Sequence, residues 1–230
     1  MKLKHFFIDA DLTANAILSC PPELWHRLIK VLRLQTGAEI AVFNGRDGLF
    51  QASVGDAKIL NVGEQIKSQP ANNGGVTLLF AMVKKPALDN ILRQATECGV
   101  VAIQPVLSEF SVVDKLNLTR AEKIVSEAAE QCERLTVPNV LEPKKLASVL
   151  SDYQHIYWAN EVVAGQPNWP NKVASDAAIL VGPEGGFSEA ERTQLATQSH
   201  ITSVALADNI LRADTAVTAV LSQYWLQTKS

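Results

Sequence analysis

Near residue 70 the hydrophobic pattern of this 230-residue chain changes period, and that change limits its folds more than any single motif does. Before it, β-prone runs at Glu39–Phe43 and Leu49–Val54 are joined by Asn44-Gly45-Arg46-Asp47-Gly48, and further strand-like residues continue to Ile66. Asn-Gly between such runs is a strong hairpin signal, because both residues tolerate the left-handed backbone of a tight turn. Leu24, Leu28, Val31 and Leu32 recur at helical spacing after Pro21-Pro22, and Gly37 is read as lying just past the end of that helix. Residues 1–70 are therefore expected to form a small β-barrel with one inserted helix, and Ser68–Gly75, polar and turn-rich, reads as a linker.

From residue 73 onward strands and helices alternate. Strands are expected at Val76–Val83, Val100–Leu107, His155–Ala159, Ala177–Val181 and Ile201–Leu206. Helices are expected between them. One carries Leu88, Ile91, Leu92 and Ala95 and stops at Gly99. The next opens on a Thr119/Glu122 capping box, presents Ile124, Val125, Ala128, Cys132 and Leu135, and halts before Pro138. Ser188 and Glu191 cap another, and Val217, Val220, Leu221 and Tyr224 mark the last. Such alternation predicts a mostly parallel sheet covered by helices, with ligands at the carboxyl ends of its strands.

Two loops fall at those ends: Val181-Gly182-Pro183-Glu184-Gly185-Gly186-Phe187, and Asn209-Ile210-Leu211-Arg212-Ala213-Asp214-Thr215-Ala216, where Asp214 or Thr215 is the expected helix cap. The Ala159-Asn160-Glu161 turn joins them. No Gly-Lys-Ser/Thr follows the glycines, so the loop is not a P-loop, and the spacing is not Gly-x-Gly-x-x-Gly. Glu184 would repel a phosphate. A ligand that needs close backbone approach and little negative charge fits better, such as adenosine or S-adenosylmethionine; a plain tight turn is the bland alternative.

Composition narrows the class further. No apolar run approaches the ~20 residues of a membrane span, and the N-terminus lacks the apolar core of a signal peptide. Cys20, Cys98 and Cys132 lie far apart, as do the four histidines, so neither disulfides nor a metal site is expected, and a reducing cytoplasm is the natural compartment. The net charge of −3 speaks mildly against nucleic acid. Yet residues 1–35 hold Lys2, Lys4, Arg27, Lys30 and Arg33 against Asp9, Asp11 and Glu23. A local basic face can bind a phosphate backbone on an acidic protein; it can equally be a solvated helix face.

The order of motifs resembles the 16S ribosomal RNA uracil-N3 methyltransferase family, a branch of the SPOUT (trefoil-knot) methyltransferases. His26–Gly37 is similar to its His-x-x-x-VLR-x-x-x-Gly segment, and Phe43-Asn44-Gly45 to its hairpin. Lys84 with Gln94–Val100, then Glu127–Arg134 with Pro138, then the Gly-Pro-Glu-Gly-Gly loop and Ile-Leu-Arg-x-x-Thr-Ala, follow in the family's order. The chain departs from the pattern at Phe110 and at Leu206-Ala207-Asp208-Asn209, where family members usually carry an arginine, and at Asp214, where they carry the longer acid.

The resemblance implies a PUA-like, RNA-binding β-barrel over 1–70 and a SPOUT trefoil-knot methyltransferase domain over 73–230. It implies a cytoplasmic homodimer acting on N3 of a uridine in small-subunit ribosomal RNA, free or as the 30S particle. S-adenosyl-L-methionine would be held by Ala159, Asn160, Glu161, Val181, Gly182, Pro183, Glu184, Gly185, Gly186, Leu206, Ile210, Leu211 and Thr215. Arg212 is the candidate for stabilising charge on the uracil, and Glu184 for accepting a proton or bonding the cofactor. His26, Arg27, Lys30, Arg33, Lys84 and Arg134 are the candidate RNA contacts. Ribose 2′-O methylation, or RNA binding without catalysis, are the alternatives that the same fold allows.

Overall fold

The structure, a computed structural model, describes residues 3–71, 74–161, 169, 170 and 172–228. The chain forms two compact units: Met1–Asn72 with Ser126–Val137, and Asn73–Val125 with Pro138–Ser230.

The first unit is built on a curled sheet of order β1-β3-β4-β5-β2, comprising β1 (His5–Phe7), β2 (Ile17–Ser19), β3 (Glu39–Phe43), β4 (Leu49–Val54) and β5 (Ile59–Lys67). β1 runs parallel to β3, and the other pairs are antiparallel. Phe6, Ile8, Ile40, Val42, Phe50, Ala52, Leu60 and Val62 alternate inward and pack with Leu24 and Leu28 of the inserted helix. The hairpin forms as expected, Phe43 opposite Leu49. Its loop is organised by Asn44, whose side-chain oxygen accepts the amides of Arg46 (3.0 Å) and Asp47 (2.8 Å). Gln69 belongs to this unit rather than to a free linker: it accepts from Gly48 N–H at 3.1 Å and donates to Gly45 O at 2.8 Å.

The inserted helix differs from its sequence pattern. α1 (Pro22–His26) widens into a π turn, Arg27–Val31, where Leu32 N–H reaches Arg27 O at 2.9 Å. The extra residue rotates the following side chains, and Val31 ends 62% exposed instead of joining the apolar stripe. The turn then closes at Arg33, in the left-handed region (φ 55°), four residues before Gly37.

The second unit is a parallel sheet of order β12-β10-β11-β6-β7-β8, with β9 also paired to β7. Its strands are β6 (Thr77–Ala81), β7 (Ala102–Leu107), β8 (Asn139–Val140), β9 (Lys144–Lys145), β10 (Ile156–Ala159), β11 (Ala178–Val181) and β12 (Ile201–Val204). The strands β6 and β11 are buried along their whole length, which is why they read as unbroken apolar runs. The two-residue β8 and β9 carry no periodicity to read and were not expected. The helices are α2 (Ala87–Glu97), α3 (Leu118–Gln131), the single turn α4 (Leu146–Val149), α5 (Glu189–Thr197) and α6 (Ala213–Thr228).

Two caps differ from expectation. α3 is capped two residues before Thr119, because Asn117 Oδ1 accepts Arg120 N–H at 3.0 Å. It ends at Gln131: Glu133 turns left-handed (φ 57°) and Arg134 N–H returns to Ala129 O at 3.0 Å, which leaves Cys132 exposed. At the head of α6, Arg212 takes the cap position, with Ala216 N–H on its carbonyl at 2.8 Å; Asp214 and Thr215 lie inside the first turn.

Glycines 37 and 48 allow a graded test of the first unit. Both have positive φ (86° and 97°), but a Cβ at Gly37 meets nothing within 4 Å, whereas one at Gly48 would stand 2.4 Å from Lys67 O. Thermal or urea unfolding should show Gly37→Ala costing about 1 kcal/mol and Gly48→Ala about 3 kcal/mol. Equal losses would mean that the close approach at Gly48 is absent in solution.

Candidate functional site

Parallel strands in register end together. Ala159 of β10 faces Val181 of β11 on one side and Val204 of β12 on the other. The three loops leaving those ends enclose a narrow cleft of about 70 Å³ in the second unit. Of the residues named from sequence, Ala159, Asn160, Glu161, Val181, Gly182, Pro183, Glu184, Gly186, Leu206, Ile210 and Leu211 line it. Gly185 and Thr215 are not on its wall; Ala207 is, as are Asn209, Ala213 and Ala216 of the second loop, none of them named among the cofactor contacts. The exchange at α6 follows from helix geometry: once the helix starts at Ala213, residues 213 and 216 share its inner face and Thr215 turns outward, exposed.

Each loop is held by bonds that the chain supplies locally or across the sheet. Gly186 has φ 70°, and its N–H closes on Pro183 O at 2.9 Å. A Cβ there would lie 3.0 Å from Glu161 Oε1, so the glycine lets two loops meet closely. Asn160 is buried; its N–H donates to Val204 O (3.0 Å) and its side-chain amide to Ser203 Oγ (3.3 Å). The expected capping box is present: Glu191 N–H to Ser188 Oγ at 3.3 Å, Ser188 N–H to Glu191 Oε2 at 3.0 Å. The other oxygen, Glu191 Oε1, accepts Glu109 N–H at 2.8 Å, a contact 82 residues distant that no local pattern announces. It fixes the 108–111 turn, whose Phe110 ring is half-exposed and lies against Gly185.

The wall chemistry selects the ligand class. Val181, Leu206, Leu211 and Ala216 are apolar, Glu161 and Glu184 are acidic, and no lysine or arginine is among the described lining residues. An anionic cofactor would meet two carboxylates and no countercharge; a cationic sulfonium with a flat adenosine matches this lining in charge and polarity. Arg212 is exposed and sits between two lining residues, Leu211 and Ala213, without lining the cleft itself.

The six candidate RNA contacts separate into different environments. His26, Lys30 and Arg33 are exposed on the first unit, and Lys84 is exposed on the second. Arg27 is already engaged: its guanidinium pairs with Glu130 and lies 4.9 Å from the Phe6 ring centre. Glu130 also accepts Phe7 N–H at 2.7 Å, joining α3's last turns to β1 within that unit. Arg134 is half-buried, its Nε donating to Thr136 Oγ1 at 2.7 Å, and desolvation holds its guanidinium below its ordinary pKa. Among the described residues no cluster of three metal-ligating side chains occurs, and no described helix is long and apolar enough to cross a membrane.

Burial raises the Glu130 carboxyl above the usual glutamate range, and the Phe7 amide and Arg27 only partly offset this. A carboxyl whose folded pKa is raised binds more protons in the folded state, so stability should fall as pH rises through the window just above the ordinary glutamate pKa. Urea unfolding across that window should show this slope, and Glu130→Gln should abolish it. Arg27→Ala should cost about 1–3 kcal/mol at neutral pH, less than for a fully buried pair because Arg27 is 33% exposed. A change below a few tenths would return Arg27 to the set of free surface cations.

Comparison with known proteins matches the geometry. Residues 70–225 fit the family model described as an RNA methyltransferase domain, and residues 28–64 fit that of an RNA methyltransferase PUA domain. The ribosomal RNA small subunit methyltransferase E of Rickettsia conorii is 31% identical over 97% of this chain and 95% of its own length. The protein of the same name from Neisseria gonorrhoeae, solved bound to S-adenosyl methionine, is 27% identical with a TM-score of 0.80 over 98% of both chains. A Legionella pneumophila protein solved with SAM has a TM-score of 0.87 over 98% of both chains, and at 22% identity it speaks for the fold alone. The expected fold class, a PUA-like barrel before a parallel-sheet SPOUT domain, is the one present.

Proposed function

We propose, for a chain that belongs to the ribosomal RNA small subunit methyltransferase E family, that it transfers a methyl group from S-adenosyl-L-methionine to N3 of a uridine in small-subunit ribosomal RNA. The observation that supports this best is the cleft at the ends of β10, β11 and β12, apolar and acidic, with Gly186 permitting close backbone approach. Bound there, the cofactor supplies an electrophilic methyl on a positively charged sulfur.

The remaining work falls to side chains. Glu161 and Glu184 favour a cation in the cleft, and Glu184 is a carboxylate on its wall able to accept the N3 proton. Arg212, exposed beside that wall, stabilises the negative charge that develops on the uracil oxygens as the proton leaves. Holding N3 aligned with the methyl supplies a further share of the rate. His26, Lys30, Arg33 and Lys84, all exposed, supply phosphate contacts. Exposed Ile210 (80%) and Leu226 (68%) favour a homodimer that covers them, and a cytoplasmic setting agrees with three free cysteines.

Incubation with labelled S-adenosylmethionine and unmodified 30S subunits or naked ribosomal RNA should place label on RNA, and digestion should yield 3-methyluridine. Label on a ribose 2′-oxygen, or none with cofactor still bound, would sink the assignment. Arg212→Ala should keep cofactor affinity while turnover falls by ~10²-fold or more, the scale of one lost transition-state donor. Full turnover would make Arg212 a structural cap residue.

A further inference from the structure

A second cavity, of about 280 Å³, opens in the same unit but has the opposite electrostatic character. Its floor is apolar: Val83, Leu88, Leu92 and Ala121 are buried, and Val113, Leu116 and Ile124 are half-buried. Its rim carries Lys84, Lys85 and Lys115, all exposed and without a carboxylate partner among the described residues. The fourth cation, Arg120, pairs with Asp89 in the wall, so the cavity keeps a surplus of three positive charges over its one lining carboxylate. That pair is incompletely satisfied: Arg120 Nε and Asp89 Oδ1 are both buried without a hydrogen-bond partner.

This combination selects a ligand. A bare phosphate would leave the apolar floor wet, and an apolar ligand would leave three lysines unused. A flat, weakly polar body with an anionic edge satisfies both, which is the chemistry of a nucleobase with its phosphates. The volume lies just under the range usual for ligand sites and suits one base, unstacked from its neighbours. Position adds to this. The helix α2, which supplies Leu88, Asp89 and Leu92, is tied to the first turn of α6 by Asn90 Nδ2 donating to Asp214 Oδ2 at 3.0 Å. That turn directly follows Arg212.

We propose that this cleft is a subsite for one splayed-out nucleotide of the RNA strand, separate from the uridine at Arg212, with its base on Leu88, Leu116 and Ile124 and its phosphates on Lys84, Lys85 and Lys115. The subsite rests on the function proposed above and adds a second recognition point to it. Substrates lacking an unpaired nucleotide within reach of the modified uridine are therefore poor substrates.

The test uses the full chain, methyl-labelled for NMR, with a uridine-rich single-stranded RNA oligonucleotide and, separately, uridine 5′-monophosphate. The oligonucleotide should shift the Leu116 and Ile124 methyl signals. Lys85→Ala with Lys115→Ala, both exposed and so harmless to folding, should weaken its binding by about tenfold. The salt slope should flatten by about 1.4, the value for two phosphate contacts on a single strand. Cofactor affinity by calorimetry should not move, and the loss in turnover assays should appear in KM for RNA. Ile124→Trp, which fills the cavity, should weaken the oligonucleotide equally without changing the salt slope. Unchanged affinity and slope in the lysine variant would overturn the subsite. So would methyl shifts given by uridine 5′-monophosphate at an affinity equal to the oligonucleotide's, since they would make it a free-nucleotide site. If the wild-type chain shifts its methyl signals with RNA but transfers no methyl group, the subsite stands and the proposed activity fails.

Discussion

The register of one parallel sheet is the constraint on which the site depends. Ile156 to Ala159 pairs residue for residue with Ala178 to Val181 and with Ile201 to Val204. Because these pairs are aligned at their last residues, the chain leaves three strands at one level, and three loops from distant parts of the sequence converge. A slip of one residue in β11 would exchange the buried faces of Ile179 and Leu180 and carry the Gly182–Gly186 loop away from Asn160. Complete burial of β11 makes that slip costly, so the cleft end of the sheet is positioned by hydrophobic burial in the strands.

Local hydrogen bonds then convert a shared level into a shaped cleft. Glu191 does two jobs with one carboxylate, closing the cap of α5 just after the glycine loop and holding the Glu109 amide of the turn after β7. Asn160 ties the β10 turn to β12 through both backbone and side chain. The result is a wall of apolar side chains and carboxylates with no lining cation among the described residues, while Lys84, Lys85, Lys115 and Arg120 line the cavity beside α2 and α3. Segregating the charges lets one surface receive a cationic cofactor and another a polyanion without the two sets neutralising each other.

A charged residue's role depends on neighbours that its own segment does not reveal. Arg27 and Lys30 read alike in sequence, one turn apart on a basic stretch. Tertiary packing brings Glu130, 103 residues later, to Arg27 and leaves Lys30 in solvent. The same applies to Arg134, whose half-burial holds it out of the surface charge pattern.

The change of period near residue 70, the Asn44-Gly45 hairpin, the Ser188/Glu191 cap and the glycine loop after β11 were legible because each is written in neighbouring residues. Burial and turn chemistry act over a few positions, and a periodic pattern records them. Most of the cleft wall was legible for the same reason, since the strand ends name the loops. What the tertiary structure alone decided was the π turn that exposes Val31, the start of α6 at Ala213 that turns Thr215 outward, and the pairing of Arg27 with Glu130. It also decided that Val83, Leu88, Leu116 and Ile124 stand around one cavity beneath three lysines. These depend on contacts between residues far apart in the chain, or on a shift of a single residue in helical phase, and neither leaves a mark in local sequence.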